Sequence, residues 1–275
     1  MLLSNFFTTT GMDEQPTSYL FNTPHFIYLL LNIILFIALW NILKRISKKK
    51  QNVLLTVFLI LIIVLKYAGD ILFIYEYYNV TPALSTYPHP FWDVDTFFSF
   101  QMCGVTNILL PIAIWTKSKA LKEFVFTSSI LGGMAVILYP VTVLYGHPIM
   151  LTLPMLRSVT VHFFLLFIPL YLIARGDVKL NPRHWWHTAI GVLLLGAWAT
   201  FGNYVIDVGD NNLYLMENPF FGGPVPILNI VPTYWHILLL AVLITIGYTL
   251  IYKITKLFEP GEWKIFLLKF KKPSE

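Results

Sequence analysis

Residues 26–65 read FIYLLLNIILFIALWNILKRISKKKQNVLLTVFLILIIVL, two apolar runs on either side of a cluster of Lys and Arg. A helix needs about 20 apolar residues to cross the roughly 30 Å hydrocarbon core of a bilayer. The two runs, extended to 24–43 and 53–76, reach that length. Lys and Arg between two spans stay on the cytoplasmic side. The stretch therefore predicts two membrane-spanning helices that are joined on the inside.

The rest of the chain repeats this pattern. Apolar residues make up 57% of the chain and charged residues 12%, whereas a soluble domain carries roughly 25% charged residues. This composition excludes a soluble globular protein and predicts an all-α fold, a polytopic bundle of transmembrane helices. Seven apolar runs are predicted spans: 24–43, 53–76, 97–116, 124–145, 155–174, 185–207 and 232–254.

Basic residues fall in alternate connecting segments. The segments without Lys or Arg are 76–95, 145–154 and 206–232. The basic segments are 43–52, 116–123, 174–187 and the C-terminal tail. Because positively charged loops stay in the cytoplasm, seven spans place the N-terminus outside and the C-terminus inside.

The charge distribution also predicts the domain organisation and the partners. We expect one integral domain over residues 1–275 in the cell membrane, with an extracellular segment 1–23 and a cytoplasmic, basic, amphipathic tail 255–275. The net charge of +5 follows from this topology and favours anionic lipid at the inner surface. Membrane lipids are therefore the expected partners, and nucleic acid is not.

Two basic residues lie outside the cytoplasmic clusters. Lys66 is followed one turn later by Asp70 in span two, and the i,i+4 spacing allows an ion pair. Such a pair either fixes helix packing or takes part in coupled transport. Arg157 lies near the outer end of span five. Intramembrane charges usually face the bundle interior or a water-filled cavity, so we expect these residues to line one.

A polar layer is predicted in the outer half of the membrane. The rise of about 1.5 Å per residue places Cys103, the single cysteine, and His162 at a similar depth. Asn107 lies one turn below the cysteine on nearly the same helix face, and Gln101 and Asn203 belong to the same layer. A histidine beside a thiol can activate it as a nucleophile. The alternative is that Cys103 is a small packing residue.

The remaining segments contain only weak indications of function. His89, Asp93 and Asp95 could bind a divalent ion, but a solvated loop is the stronger interpretation, and we expect no metal and no cofactor. The loop from 207 to 232 is long enough to form a lid, although a simple connection fits equally well. Gly132 and Gly133 in span four allow two helices to approach closely.

Four segments resemble a known family. They are FNTPHFIYLLL at 21–31, FFSFQMCGVTNILLPIAI at 97–114, VTVHFFLLFIPLYLI at 159–173 and GNYVIDVGDNNLYLMENP at 202–219. Together they resemble the YwaF family of bacterial integral membrane proteins over residues 20–255. That family is similar to a eukaryotic transmembrane acyltransferase that remodels ether phospholipids, in which a cysteine and a histidine are implicated in acyl transfer.

The resemblance implies catalytic roles for Cys103 and His162. Many members of the family have a His two residues before the cysteine, where this chain has Gln101. The expected function is a thiol-dependent phospholipid acyltransferase or acyl hydrolase. The alternative, from another class, is a transporter or receptor-like protein that binds a small molecule or ion in the same layer. Predicted substrate-binding or oxyanion residues are Asn107, Arg157, Gln101 and Asn203.

Overall fold

The computed structural model describes residues 20–79, 98–140, 152–206, 211–223, 225 and 228–261. This part of the chain forms helices and no strands, which confirms the all-α prediction. Its α-helices are α1 (Thr23–Arg45), α2 (Lys48–Asn79), α3 (Met102–Trp115), α4 (Lys119–Leu138), α5 (Leu153–Ala174), α6 (Trp185–Phe201) and α7 (Thr233–Phe258).

Six helices of the described part are long and apolar enough to cross a membrane, all except α3. The chain is therefore a multi-pass membrane protein. Helix α3 has 14 residues and spans about 21 Å, less than the roughly 30 Å of hydrocarbon. Gln101 occupies its N-cap position without a capping side-chain hydrogen bond, and Pro111 lies inside it. The apolar run 97–116 is thus longer than the helix that it forms.

Capping side chains set two of the helix starts. Asn22 accepts a hydrogen bond from the backbone N–H of His25 at the start of α1. Ser118 accepts one from Leu121 at the start of α4. Asn and Ser are favoured at such positions because their oxygens satisfy an otherwise free N–H. Helix α4 therefore starts inside the predicted cytoplasmic loop 116–123, which differs from the sequence prediction.

Helices α4 and α5 form the centre of the bundle. Helix α4 packs against α1, α3, α5, α6 and α7, and α5 packs against α1, α2, α3, α4 and α7. Both are largely buried, whereas most residues of α1, α2, α6 and α7 are exposed or only partly buried. Lipid tails are as apolar as leucine, so these exposed surfaces fit a lipid environment.

Glycine brings the two central helices into backbone contact. A Cβ at Gly133 would lie 2.6 Å from the carbonyl oxygen of His162 and 2.9 Å from the backbone nitrogen of Leu166. Any larger residue would have to push the helices apart, since both neighbours are backbone atoms. The predicted close approach is confirmed at Gly133.

A series of short turns connects α6 to α7. A π-helical turn at Gly202–Ile206 ends α6, and 3-10 turns at Asn212–Tyr214 and Leu228–Ile230 follow. Leu213 and Tyr214 have φ angles of 53° and 57°, in the left-handed region that residues other than glycine rarely adopt. Such a turn persists only where its surroundings hold it.

Some predictions fall outside the described residues. These are the structure of the N-terminal segment up to residue 19, the loop with His89, Asp93 and Asp95, and the tail beyond residue 261. Residues 255–258 of the predicted tail continue helix α7.

Candidate functional site

Cys103 is the second residue of α3. Its side chain is partly buried and packs against the hydrophobic core. The first backbone N–H groups of a helix have no acceptor within the helix, and the helix dipole adds a partial positive charge there. This position suits a nucleophilic cysteine.

His162 is a buried residue of α5, and its hydrogen bond fixes which ring nitrogen carries the hydrogen. Its Nδ1 lies 2.7 Å from the backbone carbonyl oxygen of Ser158, one turn earlier. A carbonyl oxygen only accepts, so Nδ1 carries a hydrogen and donates it. Nε2 is buried and has no hydrogen-bond partner among the described residues. In the neutral ring Nε2 therefore offers a free lone pair, as a general base requires.

Two adjacent glycines of helix α4 contact α3 next to Cys103 and α5 at His162. The Cε of Met102, adjacent to Cys103, lies 3.2 Å from the position of a Cβ at Gly132. The carbonyl oxygen of His162 lies 2.6 Å from that of a Cβ at the next residue, Gly133. The common depth of the thiol and the imidazole stays a prediction.

Arg157 lies one and a half turns before His162 in α5. Its guanidinium packs against α2 and fills the space in front of Gly69. An arginine in this position can bind a phosphate or carboxylate through charge-assisted hydrogen bonds.

Asn107 follows Cys103 by one turn of α3. Its side chain is buried, and in the part of the chain that the structure describes Oδ1 has no hydrogen-bond partner. Nearly all buried polar atoms in proteins are hydrogen-bonded, so an unpaired amide oxygen is unusual. Asn107 and His162 therefore both leave a polar atom free, on helices α3 and α5 that pack against each other.

Gln101 and Asn203 hold the turn that follows α6. Gln101 donates from Nε2 to Asn212 Oδ1 at 3.2 Å, and its Oε1 accepts from the Leu213 N–H at 3.1 Å. The amide of Asn203 pairs with both the N–H and the carbonyl of Asn212, at 2.8 and 3.2 Å. Both amides are thus used within the protein. His236 also donates from Nε2 to the Tyr214 carbonyl at 3.0 Å.

Lys66 and Asp70 both lie in α2, one turn apart. The Lys66 Nζ lies 4.5 Å from the centre of the Tyr67 ring. The Asp70 side chain is outside the described part of the structure, so the predicted ion pair stays a prediction.

The sequence analysis missed a second buried polar cluster, at the end of the bundle where α4 starts. Glu123 accepts hydrogen bonds from the Asn181 N–H at 2.8 Å and from the Tyr252 hydroxyl at 3.0 Å. The Thr188 hydroxyl lies 2.9 Å from that of Tyr252, and His184 Nδ1 lies 3.9 Å from the carboxylate. Tyr252, one of the hydroxyl-bearing residues of α7, was the available signal.

The described residues contain no group of three or more His, Cys, Asp or Glu side chains placed to hold a metal ion. The missed partner of His162 is Ser158, whose position one turn earlier in the same helix was the available signal.

Residues 20–252 match the model of a family of membrane proteins. The chain belongs to the TMEM164 family. The match includes α1 to α6 and most of α7, with all of the predicted site residues. No curated protein and no solved structure matches the chain. The family match does not test the resemblance to the YwaF family or the link to acyl transfer, so both stay predictions.

Proposed function

We propose that this protein is a thiol-dependent lipid acyltransferase or acyl hydrolase that acts on phospholipid in the outer half of the membrane. Cys103 is the nucleophile and His162 the general base. The observation that carries the proposal is the free Nε2 of His162, in a ring whose Nδ1 donates to the Ser158 carbonyl. A buried acceptor without a partner is costly, and a thiol proton is one that it can accept.

The proposed reaction uses only an acyl ester and an acceptor, which is a lysolipid or water. His162 Nε2 accepts the proton of Cys103 while the sulfur attacks the carbonyl carbon of an acyl ester, and a thioester forms as the alkoxide leaves with that proton. His162 next accepts a proton from the hydroxyl of a lysolipid, or from water, whose oxygen attacks the thioester. The thiolate leaves and regains this proton from His162, which restores the enzyme.

Other residues of the layer receive supporting roles. Asn107 donates from its amide to the developing oxyanion, since it lies one turn from Cys103 on nearly the same face. Arg157 binds the lipid phosphate, because its guanidinium offers charged donors five residues before His162, towards the start of α5. Gln101 and Asn203 hold the turn after α6 and do not contact the substrate. Lys66 and Asp70 form an ion pair in α2.

The proposed topology places this chemistry within reach of lipid. Helix α3, with the extended residues 98–101 before it, makes a seventh crossing, so the N-terminus lies outside and the C-terminus in the cytoplasm. The alternating basic segments support this arrangement. Cys103 then lies near the ester carbonyls of the outer leaflet of the cell membrane. The resemblance to the YwaF family supports the reaction class.

The test uses purified protein with acyl-labelled phospholipid and unlabelled lysophospholipid. We expect wild-type protein to transfer or release the acyl chain, and Cys103→Ala and His162→Ala to lower that rate by at least about 100-fold. The control is His184→Ala, at the opposite end of the bundle. If Cys103→Ala remodels lipid as fast as wild type does, the cysteine is a packing residue and the proposal is wrong.

A further inference from the structure

The side chain of Arg157 crosses from α5 to α2 at Gly69. A Cβ at Gly69 would lie 1.3 Å from Arg157 Nη1, 2.2 Å from Cζ and 2.8 Å from Nε. Atoms that are not bonded cannot come so close, so the guanidinium occupies the volume that a side chain at Gly69 would fill. We call this contact, Gly69 with the guanidinium of Arg157, the arginine notch.

The guanidinium in the notch is a charged donor that no acceptor of the described residues uses. Within that part of the chain, Arg157 makes no hydrogen bond and no ion pair. Its side chain is only partly exposed, and a charge without a partner is costly away from water. A phosphate or carboxylate matches the planar fork of N–H groups that a guanidinium presents. An anionic group would therefore stabilise the side chain in this position.

The direction of the Arg157 side chain differs from that of an arginine that only reaches for the membrane surface. Long basic side chains near helix ends commonly extend towards the headgroups, with their apolar stems along the protein. Arg157 is the fifth residue of α5, about 6 Å from the helix start, yet its guanidinium lies against α2. That contact requires a residue without a side chain at the crossing point. The sequence supplies Gly69 there.

The arginine notch borders the apolar surface of the bundle. Ala68 and Ile71 of α2 are exposed, as is Leu156 of α5, and both residues of the notch are partly exposed. Helices α2 and α5 pack against each other, so the notch lies at the edge of their contact. A lipid can reach the guanidinium sideways from the bilayer, with its chain on the exposed apolar residues. Binding there needs no enclosed cavity.

The distance from the notch to the proposed catalytic pair favours a phosphate over a carboxylate. Arg157 precedes His162 by five residues, which is about 7.5 Å along the helix axis. The glycerol unit of a phospholipid links its phosphate to an ester carbonyl over a comparable distance. A fatty acid with its carboxylate on Arg157 would have no ester left for Cys103. The ligand that fits both ends is therefore a lipid with a phosphodiester and an acyl ester.

We propose that Gly69 is the positioning residue for Arg157, and that the arginine notch binds the phosphodiester of a phospholipid and selects it over a neutral glyceride. The inference rests on the proposed function for the choice of a phospholipid as substrate. It adds the residue that positions the arginine and the class of lipid that is rejected. Binding at the notch does not require the reaction of Cys103.

The test measures lipid binding to the purified full-length protein by native mass spectrometry in a neutral detergent. The two probes are 1-O-hexadecyl-glycero-3-phosphocholine and 1-O-hexadecylglycerol. They differ only in the phosphocholine group, and neither has an acyl ester that could be transferred. Both are uncharged overall, so the net positive charge of the protein favours neither. We expect wild type to bind the phosphate-bearing probe about tenfold more tightly or better.

Gly69→Ala should lower the affinity for the phosphate-bearing probe about tenfold and leave the affinity for the neutral probe unchanged. The variant should unfold at the same temperature as wild type or higher, because alanine favours a helix more than glycine does and the displaced group is the end of a flexible side chain. Gly196→Ala is the matched control, since nothing lies within 4 Å of a Cβ at that position of α6. It should change neither affinity.

A double variant shows whether Gly69 acts through Arg157. Arg157→Gln should weaken binding of the phosphate-bearing probe at least as much as Gly69→Ala does. Gly69→Ala/Arg157→Gln should bind it no more weakly than Arg157→Gln alone, because both changes remove the same contact. Additive losses contradict the positioning role. So does an unchanged affinity in Gly69→Ala, or an equal loss for the two probes.

Two further measurements separate this inference from its alternatives. Glycerol 3-phosphate has the phosphate without the chain and should not displace the phosphate-bearing probe at equal concentration. If it does, the ligand is a free phosphate compound and the lipid assignment is wrong. Cys103→Ala should bind both probes like wild type. Selective binding by a protein that transfers no acyl chain would refute the proposed function and leave the arginine notch intact.

Discussion

Two buried polar clusters of this bundle use their hydrogen bonds in opposite ways. At the end where α4 starts, both carboxylate oxygens of Glu123 accept a hydrogen bond, and the tyrosine that donates to one of them also meets a threonine. In the layer around α3 and α5, His162 Nε2 and Asn107 Oδ1 are equally buried and have no partner.

The hydrogen-bonded cluster at Glu123 and the unpaired atoms of His162 and Asn107 should affect different properties of the protein, stability in the first case and catalysis in the second. Glu123 connects α4 to α7 and to the segment between α5 and α6, and a fully bonded buried network of this kind rigidifies a fold. The unpaired atoms of His162 and Asn107 contribute no hydrogen bond among the described residues, and in the proposed function they are the atoms that serve the reaction. Substitutions should therefore act mainly on the free energy of unfolding in the first cluster and mainly on turnover in the second.

The largest effect on stability is expected from Glu123→Ala. The substitution leaves the Asn181 N–H and the Tyr252 hydroxyl buried without their acceptor, and should lower the free energy of unfolding by about 3 kcal/mol. The measurement is reversible unfolding in mixed detergent micelles. Glu217→Ala, at an exposed glutamate, should change it by less than about 0.5 kcal/mol. Equal losses in the two variants would mean that the bonded cluster does not stabilise the bundle.

The contact between the central helices gives the next effect. Gly133→Ala places a methyl group against backbone atoms of His162 and Leu166 and should cost about 1–3 kcal/mol of unfolding free energy. Gly132→Ala meets the flexible end of Met102 at 3.2 Å and should be neutral or stabilising. The same unfolding experiment compares the two, and a Gly132→Ala variant that is the less stable one would contradict the packing described for α4 and α5.

The turn after α6 should respond to Gln101→Leu with a smaller, local effect. The variant removes the acceptor of the Leu213 N–H, and about 1.4 kcal/mol lost there corresponds to roughly tenfold faster amide exchange. Hydrogen–deuterium exchange of residues 211–216 measures this. Gln51→Leu is the control, since Gln51 donates to Leu43 and Ile46 carbonyls between α1 and α2. Unchanged exchange in Gln101→Leu would show that other contacts hold the turn.

The smallest effect on stability is expected from Asn107→Leu. Because its Oδ1 is unpaired, the change in unfolding free energy should stay within about 0.5 kcal/mol, while turnover falls about 100-fold. Asn203→Leu, which loses two hydrogen bonds to Asn212, should cost about 2 kcal/mol. Equal losses of stability in Asn107→Leu and Asn203→Leu would show that the hydrogen-bonded amide and the unpaired amide contribute equally to the fold.

The sequence predicted the spans well because hydropathy and length decide which segments enter a membrane. Six predicted spans correspond to helices of sufficient length. The third does not, because the helix starts only at Met102, after its cap residue, and ends at Trp115. The start of α4 was placed too late because Lys119 and Lys122 resemble a loop, although Ser118 caps a helix there.

Sequence predicts only a level for the candidate site. A helical rise gives an expected depth for Cys103 and His162, but the hydrogen position on the imidazole depends on Ser158 and on the side-chain rotamer. Gln101 was predicted as a substrate-binding or oxyanion residue, and its bonds to Asn212 and Leu213 could not be predicted because these partners lie more than 100 residues along the chain. The partners of Glu123, at 58 and 129 residues, were out of reach of sequence patterns for the same reason.

The length of α3 has a consequence for the surrounding bilayer. Its 14 residues fall about 9 Å short of the hydrocarbon thickness, and Ile112 and Trp115 near its end are exposed. A bilayer adapts to a short helix by local thinning, at a cost of fractions of a kcal/mol per Å of mismatch. In the proposed topology, where α3 makes a seventh crossing, we therefore expect the lipids beside it to be compressed and disordered, which would reduce the work of drawing an acyl chain out of its leaflet.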